Sequence, residues 1–253
     1  SEKKGEQLML VNITAGEECR IAILHNRKLE ELYIERASSE SHVGNIYKGR
    51  VTNVEPSIQA AFVDFGLGKN GFLHISDLQP QYFPDGRNEA EDVGRKTPRR
   101  ERPPIQKCLR RGQEVIVQIT KEGIGTKGPT LTTYISLPGR YLVLMPGMSR
   151  LGVSRKIEDD EARRKMRDVL NEIDMPKNMG VILRTAGLDR TKRELQRDLQ
   201  YLQRLWKAVA TRIRNDRTPT ELYQESDLVI RTIRDVYTSD FAKIIVDDEQ
   251  VAQ

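Results

Sequence analysis

Val51-Thr-Asn-Val-Glu-Pro-Ser-Ile-Gln-Ala-Ala-Phe-Val-Asp-Phe-Gly66, followed by Gly71-Phe-Leu-His-Ile-Ser-Asp77, decides how this chain is read. Apolar residues alternate in both pieces, and Gly66 and Gly68 punctuate them, so they carry strands of a small sheet, the last two joined by a glycine turn. The alternation gives Phe62 and Phe72 two possible fates. They stack bases if their face is open, and they fill a core if it is closed. Phe65 and His74 lie close by and read as structural or peripheral.

Working outward, further strand patterns occur at Ile46 to Val54, Gln59 to Phe65, Gly71 to Ile75, Glu114 to Ile119 and Leu131 to Leu137. Five strands with a long excursion before the fourth fit a small Greek-key barrel of the OB type. Upstream, Met9, Val11 and Ile13, then Ile21, Ile23 and Leu24, then Glu31 to Glu35, read as a three-stranded meander. Downstream, Tyr141 to Met145 and Gly180 to Arg184 read as strands, and Ile157 to Ile173 and Leu195 to Ile213 carry helical spacing. Asp159 and Asp160 sit where a helix start favours acids, and Thr191 with Glu194 makes a capping box. Trp206 falls on the apolar stripe of the longer helix and reads as core. Leu228 to Asp235 and Ala242 to Asp247 read as a helix and a strand, the strand belonging to a sheet whose remaining partners lie beyond Gln253.

The net charge is +5 and the positive charge is uneven. Arg95, Lys96, Arg99, Arg100, Arg102, Lys107, Arg110 and Arg111 face one acid, Glu101, in a proline-rich run from Gly94 to Arg111. Such a run is expected to be a loop that buries no core, serving either a polyanion or nothing but solvation. Cys19 and Cys108 are far apart and in no metal-ligand spacing, which points to a reducing, cytoplasmic setting without structural zinc. No apolar run reaches membrane-span length and no signal peptide is visible. Asp159-Asp160 and Asp247-Asp248-Glu249 are better explained by helix-start and strand-end charge than by metal binding, and nothing assembles a Ser-His-Asp or Cys-His site. Arg184 and Thr185 end a strand. A guanidinium with a neighbouring hydroxyl can grip a terminal phosphate, whereas the commoner fate of such an arginine is a surface ion pair.

Many short segments occur together in one order: Asn45-Ile-Tyr-Lys-Gly49, Glu55-Pro-Ser57, Ala60-Ala-Phe-Val-Asp-Phe-Gly66, Gly112-Gln-Glu-Val-Ile-Val-Gln118, Tyr141-Leu-Val-Leu-Met-Pro146, Arg184-Thr-Ala-Gly187 and Gln224-Glu-Ser226. In these the chain resembles the N-terminal half of the ribonuclease E/G family of bacterial endoribonucleases. The resemblance implies a multi-part α+β fold. A five-stranded OB-fold (S1) barrel at 41–133, with a basic insertion at about 87–107, would be set into an incomplete RNase H-like fold at 1–40 and 230–253. An α/β 5′-sensor would occupy 134–229.

The resemblance also implies roles. Phe62, Phe72 and Lys127, with Lys121 less directly, would hold single-stranded RNA. Arg184 and Thr185, with backbone at Gly139 and Val143, would read a 5′-monophosphate. Arg155 and Lys156 match a basic pair beside the sensor, although Lys156 stands where some relatives have arginine, which weakens bidentate contact there. The family's Mg²⁺-binding aspartates and Zn²⁺ link would come later than this chain. No catalytic or metal-binding residue is therefore expected within it, and by itself it is expected to be a monomer that binds RNA without cutting it. The alternative is a non-catalytic S1-domain RNA-binding adaptor.

Overall fold

The computed structural model describes residues 7–14, 18–36, 41–84, 91–237 and 241–249. The chain divides into two units, Ser1–Ser41 with Ser226–Gln253, and His42–Glu225. The first unit opens with strands β1 (Gln7–Thr14), β2 (Glu18–His25) and β3 (Lys28–Arg36) in an antiparallel meander. Asn26 and Arg27, both with positive φ (51° and 64°), make the two-residue hairpin turn whose twist matches the flanking strands.

The second unit begins with β4 (Ile46–Glu55), β5 (Ala60–Asp64), β6 (Gly71–His74), the short β7 (Glu91–Asp92) and helix α1 (Ile105–Cys108), and continues through β8 (Glu114–Lys121) and β9 (Thr130–Thr132). The strand order β4-β5-β6-β9-β8 is closed by pairing of β4 with β8, which makes a barrel. Alternate residues Tyr47, Val51, Ala61, Val63, Leu73, Val117 and Leu131 fill it.

Two expectations are corrected in this region. The basic run from Gly94 to Arg111 does contribute to a core: Ile105, Cys108 and Leu109 are buried against the barrel. Pro98 and Pro104 set the turns before Arg99–Glu101 and α1, and the four-residue spacing of Ile105 and Leu109 puts both on one side while the cations other than half-buried Arg102 remain exposed. Residues 87–90 of the insertion lie outside the described residues. The strand expected over Leu131 to Leu137 is broken after Thr132. The hydroxyls of Thr132 and Thr133 and the Thr133 N–H all donate to the Asp77 carbonyl, which draws the backbone out of the ladder.

The rest of the second unit comprises β10 (Leu137–Pro138), β11 (Leu142–Pro146), β12 (Met148–Ser149), β13 (Leu151–Val153), α2 (Asp160–Asn171), β14 (Met179–Leu183), α3 (Lys192–Asn215) and β15 (Thr220–Tyr223). A second sheet has the order β10-β11-β14-β13. Leu142, Leu144, Val181 and Leu183 of this sheet pack against Met166 and Leu170 of α2 and Leu195, Leu199 and Leu202 of α3. Trp206 adds to that core from partial burial. β15 returns to pair with β4 at the barrel.

The chain then re-enters the first unit through α4 (Leu228–Val236), capped by Asp227, and β16 (Phe241–Val246). β16 pairs with β1 in parallel, so this strand finds its neighbour inside the chain. Met9, Val11, Ile21 and Ile23 form one face of that sheet and are buried with Val229 and Phe241, while Leu29, Leu32, Ile34 and Ile245 are exposed. Neither Cys19 nor Cys108 is in a disulfide. No described helix is long and apolar enough to cross a membrane.

Candidate nucleic-acid interface

Phe62 and Phe72 stand directly opposite one another on β5 and β6. Their neighbours Ala61, Val63, Gly71 and Leu73 are buried, whereas both phenylalanines are half-buried, so they occupy the outer face and are not core filling. Their rings meet edge to face, with centroids 6.0 Å apart at 66°. The cross-strand register extends the row from Asn53 through Phe62, Phe72 and Thr130 to Lys121. Residues paired in register share a face. A cation thus ends a row whose centre is two half-buried, outward-facing aromatic rings, an arrangement suited to stacking bases while contacting phosphates.

Lys127 lies on the loop between β8 and β9 and is exposed. Two contacts tie this loop to the β5–β6 loop. Lys69 Nζ donates to the Gly125 carbonyl at 2.7 Å, and at Gly128 any Cβ would fall 1.8 Å from the Asn70 carbonyl oxygen. Only glycine permits that approach, and it brings the Lys127 loop beside the start of β6.

His74 belongs to this face, two positions beyond Phe72 and stacked with it at 6.4 Å and 21°. Its Nδ1 accepts from the Ser76 N–H, so the neutral ring carries its proton on Nε2. The Phe72-Leu-His74 alternation was the signal that could have placed it there. Phe65 is buried and packs edge to face with Tyr47 at 5.1 Å, which makes it a core residue.

The second group lies where β14 ends. Arg184 Nη1 donates to the Gly139 carbonyl at 2.5 Å, and the Arg184 N–H donates to the Tyr141 carbonyl at 2.8 Å. Thr185 follows, exposed, at the start of a single 3₁₀ turn, Thr185–Gly187. Gly187 is required there, because a Cβ would lie 2.9 Å from the Tyr141 carbonyl oxygen. Val143 sits one strand away, in register with Pro138 and Ile182. Arg184, Thr185, Gly139 and Val143 therefore form one contiguous patch.

A residue the sequence reading did not single out organises this patch. Asp198 of α3 accepts from the N–H groups of Arg140, Tyr141 and Leu142 at 3.1, 2.9 and 2.9 Å. Its carboxylate would lie 2.7 Å from a Cβ at position 139, so this turn needs glycine. Tyr141 is flanked by guanidinium groups, Arg140 at 5.2 Å and Arg190 at 5.4 Å from its ring centre.

Arg155 and Lys156 follow β13 on the far side of the same sheet and are exposed. Arg155 Nη2 donates to the Gly94 carbonyl at 3.3 Å. Among the described residues, no group of three or more His, Cys, Asp or Glu side chains converges as a metal site.

The sequence profile of the S1 RNA binding domain matches residues 40–132, which spans the barrel and its outward aromatic row. The barrel is thus an S1 domain, a class of OB fold. The profile of the ribonuclease E/G family matches residues 136–253, the part that holds the Arg184 patch. Relatives agree over nearly the whole chain. Ribonuclease E of Haemophilus influenzae is 42% identical over 244 residues, covering 96% of this chain and 25% of its own. Ribonuclease E of Escherichia coli K12 is 40% identical over 246 residues (97% and 22%). Ribonuclease G of Escherichia coli K12 is 41% identical over 239 residues (94% and 47%). The chain belongs to the ribonuclease E/G family. It spans about a quarter of the length of these ribonucleases E and about half that of ribonuclease G.

Proposed function

We propose that this chain is the RNA-holding and 5′-end-sensing portion of an endoribonuclease of RNA processing and decay. The observation that carries the proposal is the register row on the S1 barrel, in which half-buried Phe62 and Phe72 share an outer face with Lys121. Base stacking on such rings contributes about 1–3 kcal/mol per base without regard to sequence. Lys127 supplies a second cation at the same rim. In this reading Arg184 presents its guanidinium to a 5′-monophosphate, with Thr185 adding a hydroxyl and the backbone near Gly139 and Val143 completing the cradle. Asp198 prepares the site by fixing the 139–142 turn whose carbonyl orients Arg184. A 5′-hydroxyl offers no anion to pair with the arginine, so it binds less tightly. Hydrolysis belongs with the Mg²⁺-binding part of the family's longer proteins, and Zn²⁺ with their subunit link.

The test compares otherwise identical single-stranded oligoribonucleotides with 5′-phosphate and 5′-hydroxyl ends. The phosphorylated one is expected to bind more tightly, and Arg184→Ala is expected to equalise the two while sparing basal affinity. Equal affinities in the unmutated chain would sink the sensor assignment. Mg²⁺-dependent cleavage by the purified chain would overturn the division between holding and cutting.

A further inference from the structure

The segment from Glu91 to Arg95 forms a separate two-stranded ladder and packs against the sheet of β10, β11, β14 and β13. β7 pairs in parallel with β12, Glu91 opposite Met148 and Asp92 opposite Ser149. The Tyr134 hydroxyl donates to the Glu91 carboxylate at 2.5 Å. Val93 fills the space left by Gly180 and Gly152, where added Cβ atoms would lie 2.2 and 3.2 Å from its methyls. The chain then turns at Gly94 (φ 79°) and delivers Arg95 to the rim of an open groove of about 720 Å³. Val93, Gly152 and Ile182 contribute its floor, and five arginines line it.

Three of these arginines have protein partners, Arg155 through the hydrogen bond from its Nη2 to the Gly94 carbonyl. Arg150 pairs with Asp92 at 3.0 Å, and Arg163 Nη1 donates to the carbonyls of Ser154 and Ile157. Arg95, Arg155 and Arg167 have no carboxylate partner among the described residues. Asp92, the one acid in the lining, is already neutralised by Arg150.

We propose that this groove is a second RNA-binding surface, which carries the phosphodiester backbone of a strand also held at the barrel. Its chemistry suits a chain more than a small metabolite. The cations without a carboxylate partner come from three separate segments, they stand at an open rim, and nothing in the floor reads a base edge. The floor also continues into the Arg184 patch, because Gly152 and Ile182 share a register row with Val143. The inference rests on the RNA-binding reading above and adds a surface to it. The insertion then has a purpose: it builds the outer wall of the groove.

The experiment uses the whole chain with Arg95, Arg155 and Arg167 all changed to Gln, and in a companion variant all changed to Lys. Binding is measured against single-stranded oligoribonucleotides of about 4 and about 16 nucleotides, the span of OB-fold site sizes, over a salt series. The Gln variant is expected to lose affinity for the long oligomer and to flatten its log-affinity against log-salt slope by about 2, three cations at about 0.7 each. Binding of the short oligomer is expected to be unchanged, and the Lys variant is expected to restore most of the slope. An unchanged slope with the long oligomer would overturn the groove and leave the barrel reading standing. Equal loss for both lengths would show that the arginines serve no separate surface. Failure of the unmutated chain to bind either oligomer would remove the RNA reading and this inference with it.

Discussion

At Phe62 the alternation of the strand and the packing of the barrel have to be read together. A period of two states that Phe62 and Asp64 share one face and that Val63 lies on the other. It does not say which face looks out, because an inverted barrel has the same period. The sign comes from Ala61, Val63 and Leu73 being buried together, a packing result that appears only when the strands close. Phe62→Ala is expected to weaken single-stranded RNA binding about 5- to 150-fold, corresponding to about 1–3 kcal/mol, equally for both 5′ ends. Asp198 was less legible, since the N–H groups it accepts from lie 56 to 58 residues away. Its one local sign is an acid placed three residues after Leu195 on an apolar stripe. Asp198→Ala leaves three backbone donors without their acceptor and is expected to cost about 1–3 kcal/mol in denaturant titrations. It is also expected to abolish discrimination between 5′ ends, although Asp198 itself touches no RNA in this reading.

Among the elements, α3 was the most legible, because its start is written in local chemistry. Thr191 accepts from the Glu194 N–H, and the Glu194 carboxylate accepts from the Thr191 N–H and hydroxyl. Those bonds from Thr191, backbone first, hold the Glu194 carboxyl below its ordinary range. A depressed carboxylate stabilises the fold above its unfolded pKa, and that contribution is lost as pH falls through the folded value. Thr191→Ala is therefore expected to cost about 1 kcal/mol at pH 7. The gap from the parent should narrow below about pH 4, as followed by urea unfolding at several pH values. The basic segment was the least legible element. Its charge density suggested a loop without a core and obscured Ile105 and Leu109, whose spacing matters only against a barrel wall. Its docking rests on small residues elsewhere. Gly180→Ala would drive a Cβ to 2.2 Å from a Val93 methyl. The expected result is a loss of about 1–3 kcal/mol, with faster proteolysis near Glu91.

For the molecule as a whole, the barrel and the second sheet carry their own cores within His42–Glu225. That piece, expressed alone, is expected to fold cooperatively and to keep its RNA affinity; loss of the circular-dichroism signature of a folded protein would contradict this. The interruption of the first unit by the second was implied by the family resemblance, whereas the parallel pairing of β16 with β1 could not be read from the residues, since no local pattern encodes a contact spanning most of the chain. That pairing has a consequence for biogenesis. On the ribosome β1, β2 and β3 emerge first and stay without their edge strand and without α4 until the whole intervening unit has been made. The nascent meander would thus wait with Met9, Val11, Ile21 and Ile23 uncovered. Translation speed through residues 42–225, and chaperone access during it, should then influence how much of the protein matures correctly.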